Sequence, residues 1–577
     1  MFFSEKEKTK SENSIALNLP KGTHRMRPLR SSRPLRSSRP LRSSRPLRSS
    51  RPLRSSRPLR PLSPRAPLLL LFLLFLLFSL SLNPPQARAA KEPKEGKESK
   101  ENQQSQAQTK TSTHSLMIDG KESRYRAVAG TIELEKDKGK AKARIFYTAY
   151  TLLDRPENSK RGICFTFNGG PGSSSVWLHL GAFGPRRVLM NEDGTAPPPP
   201  AKLIENEYSL LAHCDLVFID PVTTGYSRAL PEKKAKSFHG LDADIESVGE
   251  FIRLYTTKNE RWDSPKYLAG ESYGSTRAAG LVSFMADRFG MLFNGIILVS
   301  SVLQFQTIKF TPGNDLPYPL FLPSYTAAAW YHERLDEELQ ALTLEELLKR
   351  ARRFAEGKYL QALMKGARCK GKERREVIRR LSRLTTLSSE YIEAANLRVP
   401  LHRFTKELLR GESKLLGRMD LRLKGHVKDP LRAHSSYDPS LNSLIGPFSA
   451  SLNHYLRSQL QYESELPYEI LTNKVRPWNW GRFENRFVNL SNSLRRAFYP
   501  NPELRVFVAN GYYDGATPFF ATEYTFDHLN LPEEWQDRIS LHYYEGGHMM
   551  YCRESCLKKL HEDLARWFKE GAPSRRR

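Results

Sequence analysis

The sequence predicts an α/β fold: a mostly parallel central sheet flanked by helices, with a helical cap insertion. Three observations carry that expectation. Short apolar runs ending at turn residues alternate with segments of helical periodicity. One junction, KYLAGESYG (266–274), reads as strand, sharp turn and helix start. A stretch rich in Leu, Glu, Lys and Arg, 331–440, breaks the alternation without a convincing strand. One sheet-bearing domain split into 118–330 and 441–577 around a cap at 331–440 accounts for all three.

The elements justify themselves in chain order. RYRAVAGTIELE (near 124–135) and ARIFYTAYTLL (143–153) are rich in β-branched and aromatic residues and predict strands. RGICFTFN (161–168) and CDLVFIDP (214–221) are continuous apolar runs, the pattern of strands buried on both faces. Asp242–Thr257 spaces Ile245, Val248, Phe251, Ile252 and Leu254 as one helix face. KYLAGE (266–271) and GIILVSS (295–301) are further strands, with a helix from Ser272 onward between them. After the cap, RVFVANG (505–511) and ISLHYYEGG (539–547) resume the alternation, and a helix over 554–569 closes the domain.

The chain has 577 residues, 39% of them hydrophobic, enough for a sizeable core. Its 91 Lys and Arg against 62 Asp and Glu give a formal net charge of +29, which invites a nucleic-acid reading. The distribution argues against it. Residues 1–89 hold 19 Lys and Arg against 3 Asp and Glu, a net of +16. That leader contains five RPLRSS repeats from Arg27 to Ser56, then the uncharged run Leu68–Leu82 and Ala87-Arg88-Ala89. Basic region, short apolar region and small residues at a cleavage position form the pattern of a secretory signal. The expectation is export to the periplasm or outside the cell, with membrane anchoring by an uncleaved segment as the alternative. Residues 90–117 read as a flexible polar linker. The cap carries 25 Lys and Arg against 16 Asp and Glu, so little net charge remains for the sheet. Cys164, Cys214, Cys369, Cys552 and Cys556 are too few for a disulfide scaffold, and Cys552 and Cys556 read as small residues near the surface.

The chemistry concentrates at strand ends. Gly270-Glu271-Ser272-Tyr273-Gly274 is a G-x-S-x-G between strand and helix, where a sharp turn projects the serine hydroxyl. Asp514 follows RVFVANG, and His548 follows ISLHYYEGG. An acid, a base and a hydroxyl in the order Ser272, Asp514, His548 make the nucleophile, general base and orienting carboxylate expected of an α/β-hydrolase. Asn168-Gly169-Gly170-Pro171-Gly172 follows an earlier strand, where backbone N–H groups free of side chains can approach a developing oxyanion. A phosphate cradle is a poorer reading, because Pro171 lacks an N–H and no Gly-Lys-Ser/Thr follows.

NGGPGSSS, GESYG, the Asp of NGYYDGATP and GGHMM together resemble the serine carboxypeptidase family, particularly its bacterial members; NEYSLL and FIDPVTTGYS look like further landmarks. The resemblance runs from about 120 to 570. It implies Ser272 as nucleophile, His548 as general base and acid, and Asp514 as the orienting carboxylate. It implies the N–H groups of Gly170 and Tyr273 as the oxyanion hole. Asn168, the Gly169 N–H and Glu271 would bind the terminal carboxylate of a peptide substrate. No metal or organic cofactor is implied. Two positions depart from the family: Ala182 stands where a second glutamate is common, with no acid between Gly172 and Asn191, and Ser173 replaces a common cysteine. The carboxylate site is expected to be less complete than usual. The same triad would serve an esterase or acyltransferase, and a non-catalytic peptide-binding surface protein is the reading from another class.

Overall fold

Alternating side chains on the central strands feed two separate apolar cores, which explains their uninterrupted apolar sequences. In the computed structural model, which describes residues 109–118, 120–135, 140–154, 161–429 and 437–571, Leu216 and Phe218 point into one cluster and Val217 and Ile219 into the other. Ile297 and Val299 likewise oppose Ile296 and Leu298. The chain divides into units Met1–Pro93 and Lys94–Arg577, and every described residue lies in the second. The RPLRSS repeats, Leu68–Leu82 and Ala87–Ala89 lie outside the described residues.

The strands are β1 (Thr109–Ile118), β2 (Lys121–Glu135), β3 (Ala141–Leu152), β4 (Ile163–Phe167), β5 (Asp215–Ile219), β6 (Lys266–Glu271), β7 (Gly295–Val299), β8 (Arg505–Gly511) and β9 (Ile539–Tyr544). They form one ten-stranded sheet in the order β1-β2-β3-β5-β4-β6-β7-β8-β9, and the two-residue strand Arg228–Ala229 pairs with β3 off this path. Pairing is antiparallel from β1 to β5 and parallel from there to β9. The register aligns the strand ends that matter. Val299 pairs with both Glu271 and Ala509, and Gly511 pairs with Tyr544. The loops after β6, β7, β8 and β9 therefore open side by side.

The longer helices among the described residues are α1 (Leu241–Lys258), α2 (Tyr273–Phe289), α3 (Pro317–Tyr331), α4 (Leu344–Phe354), α5 (Gly371–Thr385), α6 (Pro439–Ser458), α7 (Ser491–Phe498), α8 (Phe519–Asp527) and α9 (Glu554–Glu570). Helices α1, α2 and α7 cover one sheet face, and α6 and α9 the other. A third cluster joins α3, α4 and α5 to Phe404 and to Tyr513, Phe519 and Phe520. The helical packing of the cap thus begins at α3, before residue 331. Thr343 and Glu346 close a capping box that starts α4 inside it.

Three expectations need correction. The linker 90–117 does not run to its end as a tether: β1 occupies its last part, paired antiparallel with β2 from Thr109↔Gly130 to Ile118↔Lys121. An edge strand with most side chains in water needs no apolar alternation, so its Thr-rich sequence looked like linker. The cap region contains a small hairpin, Lys414–Leu416 with Lys424–His426. The five cysteines are free thiols and all buried, Cys552 and Cys556 included, against the surface expectation. Both pack in the same core cluster, Cys556 from the buried face of α9.

Candidate active site

The turn between β6 and α2 is strained. Ser272 sits at φ 59°, ψ −127°, a region that side-chain-bearing residues rarely adopt and that persists only where the surroundings hold it. Three hydrogen bonds do so: Ser272 N donates to the Val299 carbonyl (3.0 Å), and Ser275 N and Oγ donate to the Ser272 carbonyl (2.9 and 2.6 Å). The flanking glycines are required by space. A Cβ on Gly274 would lie 2.9 Å from the Phe167 carbonyl oxygen, and one on Gly270 would strike the Gly274 carbonyl.

The glycine loop after β4 lies directly on this turn. A Cβ on Gly169 would fall 2.5 Å from Tyr273 N and 2.7 Å from the Glu271 carbonyl oxygen, so only glycine allows the approach. Gly170 takes φ 104°. Asn168 Oδ1 accepts from Leu178 N (3.1 Å), while its buried Nδ2 lies near Glu271 without a well-aligned hydrogen bond. Gly170 and Tyr273, the expected oxyanion donors, and Asn168, Gly169 and Glu271, the expected carboxylate binders, are thus brought into one neighbourhood around Ser272.

Behind the turn is an arrangement the sequence did not announce. Arg277 and Asp244 form an ion pair (Nε to Oδ2, 2.8 Å) with side-chain exposures of 1% and 4%. Tyr273 Oη donates to the same Oδ2 (2.9 Å), and Arg277 Nη1 donates to the Asn168 carbonyl (2.7 Å). The guanidinium also lies over the Phe167 and Tyr273 rings. One buried arginine therefore ties α1, the serine turn and the glycine loop together.

Asp514 and His548 meet from neighbouring strand ends. His548 Nδ1 lies 2.8 Å from Asp514 Oδ2, and both side chains are 1% exposed. A carboxylate opposite Nδ1 keeps the proton there and leaves Nε2 as the acceptor. Asp514 Oδ1 accepts from Ala516 N (2.7 Å) and Thr517 N (2.9 Å), and Thr517 Oγ1 stands 2.7 Å from Oδ2. Burial lowers the His548 pKa, but the charge and hydrogen bond of Asp514, joined by Glu271, outweigh it and hold the imidazole above its ordinary value. Ser300, just past β7, links this pair to the serine turn: its Oγ donates to the His548 carbonyl (2.6 Å), and Thr517 Oγ1 donates to the Ser300 carbonyl (3.0 Å).

Glu271 is the electrostatic anomaly. Its side chain is buried beside Ser272, and desolvation pushes its pKa up to about 7, with Asp514 adding to the rise. The charge of His548, the Tyr551 hydroxyl and the Asn168 amide limit that rise. Cap residues also reach the site. His548 N donates to the Met419 carbonyl (2.6 Å), Gly547 N to Asp420 Oδ2 (3.1 Å), and Leu421 N to the Tyr513 carbonyl (2.9 Å). Arg277, Asp244, Ser300, Thr517, Tyr551 and the strap 419–421 were all missed by sequence reasoning. Only Thr517 left a signal, as a threonine three residues after an acid in a turn.

A strained serine between strand and helix, and a buried His–Asp pair at the ends of neighbouring parallel strands, sit on the architecture of the α/β-hydrolase fold. Residues 120–298 match the family model described as serine carboxypeptidase. The match contains the glycine loop and Ser272 and stops before Asp514 and His548. Among curated relatives, the pheromone-processing carboxypeptidase KEX1 of Cryptococcus gattii is 36% identical over 135 residues, 23% of this chain and 18% of that protein. Its namesake from Saccharomyces cerevisiae is 35% identical over 135 residues, 22% and 17% of the two chains. The aligned segment thus spans under a fifth of these relatives' length, and they are fungal rather than bacterial. The crystal structure of a prohormone-processing carboxypeptidase from Saccharomyces cerevisiae aligns over 76% of this chain and 91% of its own, with 18% identity and a TM-score of 0.47. A proline iminopeptidase from Mycobacterium smegmatis aligns over 76% and 98%, with 12% identity and a TM-score of 0.33.

Proposed function

We propose that the chain is an exported serine carboxypeptidase that removes single residues from the C-termini of peptides. The observation that supports it most is the buried 2.8 Å contact between His548 Nδ1 and Asp514 Oδ2, hydrogen-bonded through Ser300 to the end of the strand beside Ser272. In this reading Ser272 Oγ attacks the scissile carbonyl carbon while His548 Nε2 takes its proton. The N–H groups of Gly170 and Tyr273 receive the oxyanion. Collapse breaks the C–N bond and His548 gives the proton to the leaving amine; a water deprotonated by His548 then attacks the acyl carbon, and His548 returns that proton to Ser272 Oγ as the ester bond breaks.

Asn168, the Gly169 N–H and Glu271 would select a free terminal carboxylate. Protonated Glu271 donates to that carboxylate; ionised, it repels it. With its pKa raised to about 7, the preference for free acids falls as pH rises through that value. The domain boundaries follow the same reading: a discarded leader at 1–89, and an α/β-hydrolase domain interrupted by its cap. The partner is then a peptide, and the basic balance of the chain belongs to delivery rather than to nucleic acid.

The test is hydrolysis of N-blocked dipeptides, as free acids and as C-terminal amides, by mature protein and by Ser272→Ala between pH 4 and 8. The expected result is cleavage of the free acid, loss of at least about 10⁴-fold in Ser272→Ala, and decline toward alkaline pH. Activity retained by the variant would overturn the serine mechanism. Equal cleavage of acid and amide would overturn the carboxypeptidase reading.

A further inference from the structure

Glu271 receives its well-formed side-chain hydrogen bond from a phenol. Tyr551 Oη donates to Glu271 Oε2 across 2.5 Å, and both residues are buried. Tyr551 belongs to the short turn Met550–Cys552, three residues past His548, so the loop that presents the imidazole also presents this hydroxyl. Its ring packs against Gly181, where a Cβ would come within 2.5 Å of ring Cε2. The neighbouring Ala182 is fully buried and offers no acid. The groups facing Glu271 are His548 and Asp514 from the two strand-end loops, Tyr551 and Cys552 from this turn, and the neutral Asn168 amide.

We propose that Tyr551 is the specificity-determining partner of Glu271: its hydroxyl pins Oε2, so that the acid's proton resides on Oε1 and meets the substrate's terminal carboxylate. The inference rests on the carboxypeptidase reading above. A phenol has one proton to give, and donating it to Oε2 makes that oxygen the carbonyl-like one. Two carboxyls facing each other would share a proton and titrate in two coupled steps. A carboxyl facing a phenol has one ionisation in the working range, because burial and the Glu271 charge hold the phenol well above its ordinary value. Recognition of free acids therefore follows a single proton.

The test compares an N-blocked dipeptide acid with the methyl ester of the same peptide, from pH 4 to 9, in full-length protein and in Tyr551→Phe. For the wild type, log kcat/KM for the acid should fall with a slope of one on the alkaline side. In Tyr551→Phe, at pH 4 to 5 where Glu271 is protonated, the acid-over-ester ratio of kcat/KM should fall about fivefold, the size of one hydrogen bond between neutral partners. The alkaline midpoint should also move to higher pH, because the phenol favours ionised Glu271. Incorporating 3,5-difluorotyrosine at 551 keeps the fold and makes a stronger donor, and should move the midpoint the other way. An unchanged ratio and midpoint, or parallel loss on acid and ester, would overturn the inference. A wild type that cleaves the peptide bond of neither substrate overturns the parent reading before any variant is made.

Discussion

The charges behind Ser272 and the charges on the cap are the same residue types in opposite surroundings. Arg277 and Asp244 are dry, share their partners with Tyr273 and the Asn168 carbonyl, and cannot move without disturbing the serine turn. On the cap, Arg383 reaches Asp336 (2.7 Å) with side-chain exposures of 45% and 41%, where water and salt compete for both partners. Contact distance alone does not distinguish the two pairs. Burial decides that one pair fixes the geometry of a site and the other decorates a surface. The large basic excess of the chain is therefore uninformative about chemistry, and a single internal arginine is informative.

The sharpest way to break this contrast is at the driest pair. Asp514→Asn leaves packing intact but lets Nδ1 lose its proton preference, turning His548 Nε2 from acceptor to donor. The expected loss is about 10⁴-fold in kcat with the fold retained, read by steady-state kinetics beside a melting curve. A loss below tenfold would mean that Asp514 does not orient the base.

Next comes Arg277→Met. Removing the guanidinium strands Asp244 in the core and releases the Asn168 carbonyl. Such one-sided breaks destabilise by about 3–5 kcal/mol. Denaturant unfolding of Arg277→Met and of the double variant with Asp244→Asn checks this, with the double variant recovering part of the loss. Additive losses would show that the pair is not coupled.

These targets also show what the sequence could disclose. Ser272, Asp514 and His548 were legible because each sits where an apolar run stops at turn residues, a local signal. Arg277 and Asp244 were not: they lie 33 residues apart on different helices, and either alone looks like an ordinary helical charge. Tyr551 met Glu271 only through the return of the chain 280 residues later. The strap 419–421 was hidden inside a region whose composition says helix, although it grips the His548 loop with backbone groups that no side-chain pattern records. Strand β1 was misread because exposure on an edge erases the alternation by which strands are recognised.

Glu271 offers an intermediate effect with a definite sign. A carboxyl whose folded pKa is about 7 against an ordinary 4.5 favours the fold while protonated, and that contribution is lost as pH rises from about 4.5 to about 7. The amount is about 3 kcal/mol. Asp220, raised to about 6 by burial, and His548, held above its ordinary value, lose stability in the same direction, so the wild-type slope alone does not isolate Glu271. The difference between wild type and Glu271→Gln does. The variant should lose less stability between pH 5 and 8 in urea unfolding, and a parallel pair of curves would show Glu271 already ionised in the fold.

The smallest effect belongs to the cap. Arg383→Ala removes ion pairs to Asp336 and Glu338 about as close as Arg277–Asp244, yet both exposed partners regain water at once. The expected change is below about 1 kcal/mol and fades further in added salt. Hydrolysis of a neutral dipeptide should be unaffected, because the grip of the cap on the His548 loop runs through 419–421 and not through α5. A loss comparable to that of Arg277→Met would mean that the outer cap helices are coupled to the serine turn. The distinction between a positioning interior and a solvated cover would then have to be redrawn.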